Sequence, residues 1–267
     1  MKNRKALTLL LIACMTAALT TGCKKKYEEV DLSSHTTAAQ PETVAPTTQA
    51  QTTTATETTK AETTAASTVV TATIETYTKD DMKIQYPAVS GLSDTSTQDK
   101  LNEMLKSDAI AVIKGWGIDS DATVDITCKV ITINKKQICA TYEGYYSASG
   151  AAHPTNVFYA DTIDITTMKN LGFSDYADPY TQAGYVLSSD IALKDSDADT
   201  LAAFKEARTA YDIDYYKALF ENADFPADGS SFPECFSYSK DGNLYYSVPV
   251  SHALGDYVIV KFSLEGK

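Results

Sequence analysis

Apolar and polar residues alternate in several short runs, and each run predicts a β-strand with one buried face. The runs cover residues 82–87, 124–130, 138–146, 157–165, 235–238, 243–250 and 257–262. Apolar positions in the second and third runs carry even numbers, so an odd-length loop at residues 134–136 lets the two strands share a face. The Asp241-Gly242 pair between two later runs is a strong hairpin signal.

Two other segments place apolar residues three and four positions apart, which predicts helices. The first spans residues 93–117 and puts six apolar residues on one face, namely Leu101, Met104, Leu105, Ala109, Val112 and Ile113. The second is clearest over residues 197–224. Because strands and helices fall into separate runs along the chain, the predicted fold class is α+β, with antiparallel sheets and segregated helices.

Composition separates a low-complexity segment from the folded part. Residues 33–73 are rich in Thr and Ala and contain no aromatic residue, which predicts a disordered tether. Residues 71–267 carry 29 Asp and Glu against 16 Lys and Arg, a net charge of −13, whereas residues 1–70 carry +1. The acidity of the folded part argues against nucleic acid or an anionic membrane surface as its main partner.

The N-terminus has the regions of a secretory signal peptide, with basic residues 1–5 followed by an apolar stretch over residues 6–19. Leu-Thr-Thr-Gly-Cys at residues 19–23 resembles a bacterial lipobox, with Thr20 at the position where leucine is commoner. The resemblance implies that Cys23 carries membrane lipid and that the rest of the chain faces outward from a bacterial cell membrane. An uncleaved signal anchor is the alternative.

These patterns divide the chain into four parts. Residues 1–22 are predicted to be a lipoprotein signal peptide, and residues 23–74 the lipidated cysteine and its tether. Residues 75–170 and 171–267 are predicted to be the N-terminal and C-terminal halves of the α+β domain.

Residues with catalytic chemistry are few in the folded part. His153 and His252 are its two histidines, and the chain has no G-x-S-x-G elbow, P-loop or C-x-x-C motif. We therefore expect no enzyme activity and no cofactor. A zinc site built from the two histidines and a carboxylate is an alternative, because three protein ligands and a water suffice for zinc.

Acidic residues near position 200 have the spacing of a calcium-binding loop. Asp195, Asp197, Asp199 and Glu206 occupy positions 1, 3, 5 and 12 of an EF-hand pattern. Thr200, however, stands where the sharp turn of such a loop requires glycine. Helix capping by Asp197 or Asp199 explains the same cluster, so no metal site is predicted there.

Three cysteines remain after the tether, and the predicted hairpin separates two of them. Its register turns Cys128 towards the core and Cys139 outward, so these two should not bond to each other. We expect buried or free thiols, with a disulfide from Cys235 to either hairpin cysteine as the alternative.

Three segments, taken together, resemble a known extracellular domain. They are KIQYPAVSGLSDTSTQDKLNEMLK, YYSASGAAHPTNVFYADTIDITTMKNLGFSDY and GNLYYSVPVSHALGDYVIVKF. The domain is shared by peptidoglycan deacetylases of the PdaC type and lysozyme-binding anti-sigma factors of the RsiV type. Gly150 and His153 match its Tyr-x-Gly-Gly-Ala-His hairpin, whereas Ala148 and Ala151 depart from it. The resemblance implies an α+β fold of two interlocked halves.

The resemblance also suggests what the domain binds. The deacetylases carry a separate catalytic barrel, for which this chain has no room before Lys267, so deacetylase activity is not expected. What carries over is outward-facing recognition. A domain with a net charge of −13 would attract a cationic wall hydrolase such as lysozyme, which the protein would sense or sequester. The alternative is a module that binds peptidoglycan glycan strands through its tyrosines.

The ligand is expected at two loops, because loops commonly carry recognition. They are the hairpin loop over residues 149–155 and the loop over residues 251–256. The candidate ligand-binding residues are Tyr146, Gly150, His153, Asn156 and His252.

Overall fold

The structure, a computed structural model of the chain, describes residues 69–226 and 232–265. The predicted signal peptide, Cys23 and nearly all of the predicted tether lie outside these residues. Within the described ranges, no helix combines the length and the apolar character needed to cross a membrane.

The first sheet has six strands that lie in chain order. Its strands are β1 (Thr71–Lys79), β2 (Met82–Ser90), β3 (Thr123–Ile133), β4 (Gln137–Ser147), β5 (Thr155–Asp164) and β6 (Lys169–Asn170). Neighbouring strands are antiparallel except for β2 and β3, which are parallel and are connected by helix α1 (Thr95–Gly115). The loop between β3 and β4 is residues 134–136, as the alternation predicted.

The second sheet is a smaller antiparallel sheet with strand order β7-β10-β9-β8. Its strands are β7 (Ala192–Leu193), β8 (Ser237–Lys240), β9 (Asn243–Pro249) and β10 (Tyr257–Ser263). The helices α2 (Phe173–Tyr176), α3 (Pro179–Leu187), α4 (Ala198–Ala207) and α5 (Ile213–Glu221) belong to the same half. The predicted α+β class, with antiparallel sheets and segregated helices, is confirmed.

The two halves share one core. Phe232, Phe236 and Tyr238 of the second half belong to the same buried cluster as Tyr142 and Tyr159 of the first sheet. Tyr159 stacks face to face on Tyr142, with ring centroids 4.5 Å apart, and meets Phe232 edge on at 5.5 Å. The halves are therefore interlocked through aromatic packing, which contributes beyond the area that it buries.

The structure corrects the prediction that Cys139 points outward from the core. This residue lies on the opposite face from Cys128, as predicted, but that face is covered and Cys139 is only 1% exposed. An alternating pattern shows which residues share a face, and it does not show whether a second layer covers the other face. Cys128, Cys139 and Cys235 are all free thiols.

Two element boundaries also differ from the predictions. Strand β1 begins at Thr71, so the last residues of the predicted tether belong to the first sheet. The predicted helix over residues 197–224 is two helices, α4 and α5, separated by a short 3-10 turn at Arg208–Ala210. The break has a local cause, because Asp212 accepts a hydrogen bond from Tyr215 N and so starts a new helix.

A buried carboxyl group, Asp161, and a half-buried one, Asp108, lie between α1 and the first sheet. Asn170 Nδ2 donates to Asp108 Oδ2 at 3.0 Å and to Asp161 Oδ1 at 2.9 Å, which ties α1, β5 and β6 together. Burial raises the pKa of both carboxyls, and the neighbouring Asp108 charge raises the pKa of Asp161 further. The folded protein therefore binds more protons at this pair than the unfolded chain does.

We expect Asp161→Asn to flatten the pH dependence of stability. The protons on the pair stabilise the fold fully below the pKa of an unfolded aspartate, about 4, and this contribution is lost as pH rises through the raised values. The variant should be more stable than the parent at pH 8 by about 1–3 kcal/mol, with a smaller difference at pH 4.5. Urea unfolding at pH 8 and at pH 4.5 measures the difference in the free energy of unfolding between variant and parent. Asp99→Asn, at an exposed position on α1, is the control. If the free energy of unfolding of the parent and of Asp161→Asn changed in parallel with pH, the expectation would be wrong.

Candidate functional site

The second predicted loop meets strand β5, one residue after the first predicted loop, at the carboxylate of Asp256. Its Oδ2 accepts a hydrogen bond from Asn156 N at 2.8 Å, and its Oδ1 lies 2.8 Å from His252 Nδ1. Asn156 Nδ2 also donates to Gly255 O at 3.4 Å. One side chain thus joins the start of β5 to the loop between β9 and β10, across 100 positions of sequence. We call residues 148–156, which include the start of β5, and residues 250–256 the loop pair.

The β9–β10 loop is shaped by its own backbone. Residues His252–Leu254 form a 3-10 turn, which Gly255 ends with φ +93°. Asp256 follows with φ +72°, a left-handed conformation that aspartate tolerates better than most residues. Val250 N donates to Asp256 O at 2.9 Å and closes the loop. The carboxylate of Asp256 is therefore held in place before any ligand arrives.

Three of the predicted site residues come together here. The rings of His153 and His252 lie 6.0 Å apart between centroids, and His153, Asn156 and His252 are all exposed. Gly150 lies at the tip of the hairpin loop, where its φ of +77° favours glycine. The loop pair thus presents two imidazoles and an amide to solvent from a fixed frame.

Tyr146 lies apart from this group. It points to the α1 side of the sheet and packs edge on against Trp116, with ring centroids 5.4 Å apart. Its neighbour Tyr145 points to the opposite face and pairs directly with Asn156 of β5. Tyr145 is 37% exposed. The sequence prediction missed Tyr145, although the even-numbered core positions of this strand already indicated that Tyr146 faces the core.

Carboxylates surround Tyr145 on its face of the sheet. Asp125 of β3 pairs with Tyr145 on the side opposite to Asn156, so the three residues form a row across β3, β4 and β5. Glu143 lies two positions along β4 and therefore shares this face. Asp125 and Glu143 are exposed. We call Asp125, Glu143, Tyr145 and Asn156 the acidic tyrosine face.

The charge of Glu143 acts on Tyr257 of strand β10. The pKa of Tyr257 is raised to about 12, first by burial and then by the charges of Glu143 and Asp256. Both charges therefore act on the Tyr257 hydroxyl. Glu143 also lines a cleft with four basic residues, Lys129, Lys194, Lys240 and Lys261, so part of its charge is balanced there.

The metal alternatives gain no support. Within the described residues, no group of three or more His, Cys, Asp or Glu side chains is placed to hold a metal ion. Asp197 instead caps α4 by accepting from Thr200 N at 2.7 Å, as predicted. Asp195 forms an ion pair with Lys194 at 2.7 Å.

The thiols are poor nucleophiles in this structure. Burial raises the pKa of Cys128 and of Cys139 to about 12, and it raises the pKa of Cys235 as well. A thiolate is the reactive form of cysteine, and it is disfavoured at all three positions.

An aromatic cleft of about 700 Å³ borders the loop pair. Pro249, Val250 and Ser251 form one wall, and Tyr211, Tyr215 and Glu234 lie among the residues of the other. The cleft and the loop pair share Val250 and Ser251 and are therefore continuous along the surface.

Comparison with known proteins finds distant structural similarity. No protein-family model matches the chain, and no curated protein matches it. A DUF3298 family protein of Bacteroides fragilis NCTC 9343 is similar with a TM-score of 0.41 and 12% identity, over 73% of this chain and 90% of that chain. A DUF3298 family protein of Pseudomonas aeruginosa PAO1 gives a TM-score of 0.37 and 8% identity, over the same shares, 73% and 90%.

We expect Asp256→Ala to release the two loops from each other. The variant loses both hydrogen bonds of the carboxylate, so amide exchange at Asn156 should become at least about tenfold faster, and the free energy of unfolding should fall by about 1–2 kcal/mol. Hydrogen exchange read at residues 155–157 and 250–256 measures the effect. Asp241→Ala, in an exposed hairpin turn, is the control. Unchanged exchange at Asn156 would show that the carboxylate does not hold the loops.

Proposed function

We propose that the protein is a cell-envelope lipoprotein, held to membrane lipid through Cys23, whose outward-facing domain binds a cationic wall hydrolase such as lysozyme as a sensor or decoy. The observation that carries the proposal is the acidic tyrosine face beside the loop pair. It combines an exposed aromatic ring, two exposed carboxylates and a rigid loop frame on one surface.

The local chemistry suits a protein partner with basic side chains. Tyrosine supplies contact area at low entropic cost, and it is enriched among the residues that dominate binding energy. Asp125 and Glu143, which both neighbour Tyr145 on this face, would pair with lysine or arginine of the partner. The net charge of −13 over residues 71–267 would raise the association rate.

Rigidity supports the same proposal. Asp256 ties the β9–β10 loop to the start of β5 in the free protein, so binding would not have to order this junction first. Preorganisation of this kind improves affinity because less conformational entropy is lost on association.

Calorimetry of the full-length protein with a cationic lysozyme, at low and at physiological salt, tests the proposal. We expect binding that weakens as salt rises, because the screening length falls from about 30 Å at 0.01 M to about 8 Å at 0.15 M ionic strength. Binding that is insensitive to salt, or no binding at either salt, would contradict the proposal. Purified peptidoglycan fragments, the alternative ligand, are then the next titrant.

Three variants locate the surface. Tyr145→Ala should weaken lysozyme binding at least about tenfold, because it removes the central ring of the face. Asp125→Asn combined with Glu143→Gln should reduce the salt dependence. His153→Ala tests the contribution of the loop pair. Tyr180→Ala, at a tyrosine on α3 that is 55% exposed, is the matched control, and equal losses for Tyr145→Ala and Tyr180→Ala would place the interface elsewhere.

A further inference from the structure

The aromatic cleft beside the loop pair is built from three tyrosines of one segment. Tyr211 and Tyr215 are stacked, with ring centroids 4.1 Å apart and planes 17° from parallel. Tyr216 meets both rings edge on, at 6.2 Å from Tyr211 and 5.2 Å from Tyr215. Tyr211 is 50% exposed, so aromatic surface is open to the cleft.

The position of these rings is fixed from beneath. Tyr216 is buried, and its hydroxyl donates to Arg208 O at 3.1 Å. Asp212 accepts from Tyr215 N at 3.0 Å and sets the start of α5, which carries Tyr215 and Tyr216 on adjacent positions. The cluster is therefore part of the folded helix and not a set of independently moving side chains.

The lining of the cleft includes a carboxylate. This carboxylate belongs to Glu234, and the charge of Glu234 is second only to burial among the causes that raise the pKa of Tyr215. Asp212 and Asp214 flank the tyrosines in the sequence and are exposed. Aromatic faces next to a carboxylate attract cations through the ring quadrupole and through direct charge pairing.

Arg208 also lines the cleft, and burial raises the pKa of Tyr216 against the lowering effect of the Arg208 charge. The Arg208 guanidinium donates to the carbonyls of Val186 and Ser188 at the C-terminal end of α3, the latter at 2.8 Å. A helix C-terminus carries partial negative charge, which neutralises part of the guanidinium charge. Glu234, which makes no such contact with the described residues, is the carboxylate among the lining residues whose charge acts on Tyr215.

We propose that this cleft is a subsite for a basic side chain, arginine or lysine, of a protein partner. The inference rests on the proposed function in taking the partner to be a cationic protein. The planar guanidinium of arginine fits best, because it stacks on an aromatic face and pairs with a carboxylate at the same time. The cleft shares Val250 and Ser251 with the loop pair, so one partner could contact both.

A small probe tests the cleft without lysozyme. Saturation-transfer NMR of the full-length protein would compare Nα-acetyl-arginine amide with Nα-acetyl-citrulline amide, which has a similar shape and no charge. We expect the arginine probe to bind at least about threefold more tightly. Glu234→Gln should abolish this preference, and Tyr211→Leu should weaken both probes. Glu221→Gln, an exposed carboxylate of α5 outside the cleft, should change neither.

The other outcomes overturn the assignment in distinguishable ways. Equal binding of the two probes, or binding of neither, would show that the cleft does not select a cation. Binding of a chitin trisaccharide that Tyr211→Leu removes, with no preference for arginine over citrulline, would assign the cleft to glycan. A probe result in favour of arginine together with no lysozyme binding would retain the subsite and reject lysozyme as the partner.

Discussion

The structure depends on covering strand β5 on both of its faces. Every residue from 157 to 163 is buried, which is unusual for an antiparallel strand with solvent nearby. Helix α1 covers one face, where Tyr159 donates a hydrogen bond to Ala109 O at 2.6 Å. The second half covers the other face, where Phe158 contacts Tyr238 and Tyr257. Neither half can be removed without exposing a row of large apolar side chains.

Because the second half covers one face of β5, some polar groups are buried at the junction of the two halves. Asp224 is buried where α5 ends, and its two oxygens accept hydrogen bonds of 2.5 Å from Ser237 N and Ser237 Oγ. Burial raises the pKa of Asp224 to about 7, against the lowering effect of these hydrogen bonds. The carboxyl thus orients β8 beneath the first sheet, and its protonation state changes near neutral pH. A buried carboxyl group of this kind fixes the position of its hydrogen-bond partners, and its burial costs desolvation free energy.

Local patterns predicted the parts of this fold that depend on nearby residues. The α1 face, the loop at residues 134–136 and the Asp241-Gly242 turn follow from spacing and turn chemistry alone. Strand β1 was missed because its Thr-rich sequence resembles the tether, and pairing with β2 is what makes it a strand. Both candidate loops were predicted from the sequence, but the contact between the β9–β10 loop and the start of β5 arises from Asp256 and Asn156, which no local signal connects.

Burial of some carboxyl groups changes how the acidity of the domain should be counted. The pKa values of Asp108, Asp161 and Asp224 are raised, that of Asp224 to about 7. These three carboxyl groups therefore keep their protons to a higher pH than exposed carboxyl groups do. The effective charge of the folded part is therefore smaller in magnitude than the formal −13. What a partner meets is the exposed subset, including Asp125 and Glu143 around Tyr145. Attraction then depends on where carboxylates lie on the surface, and interior acids serve the fold instead.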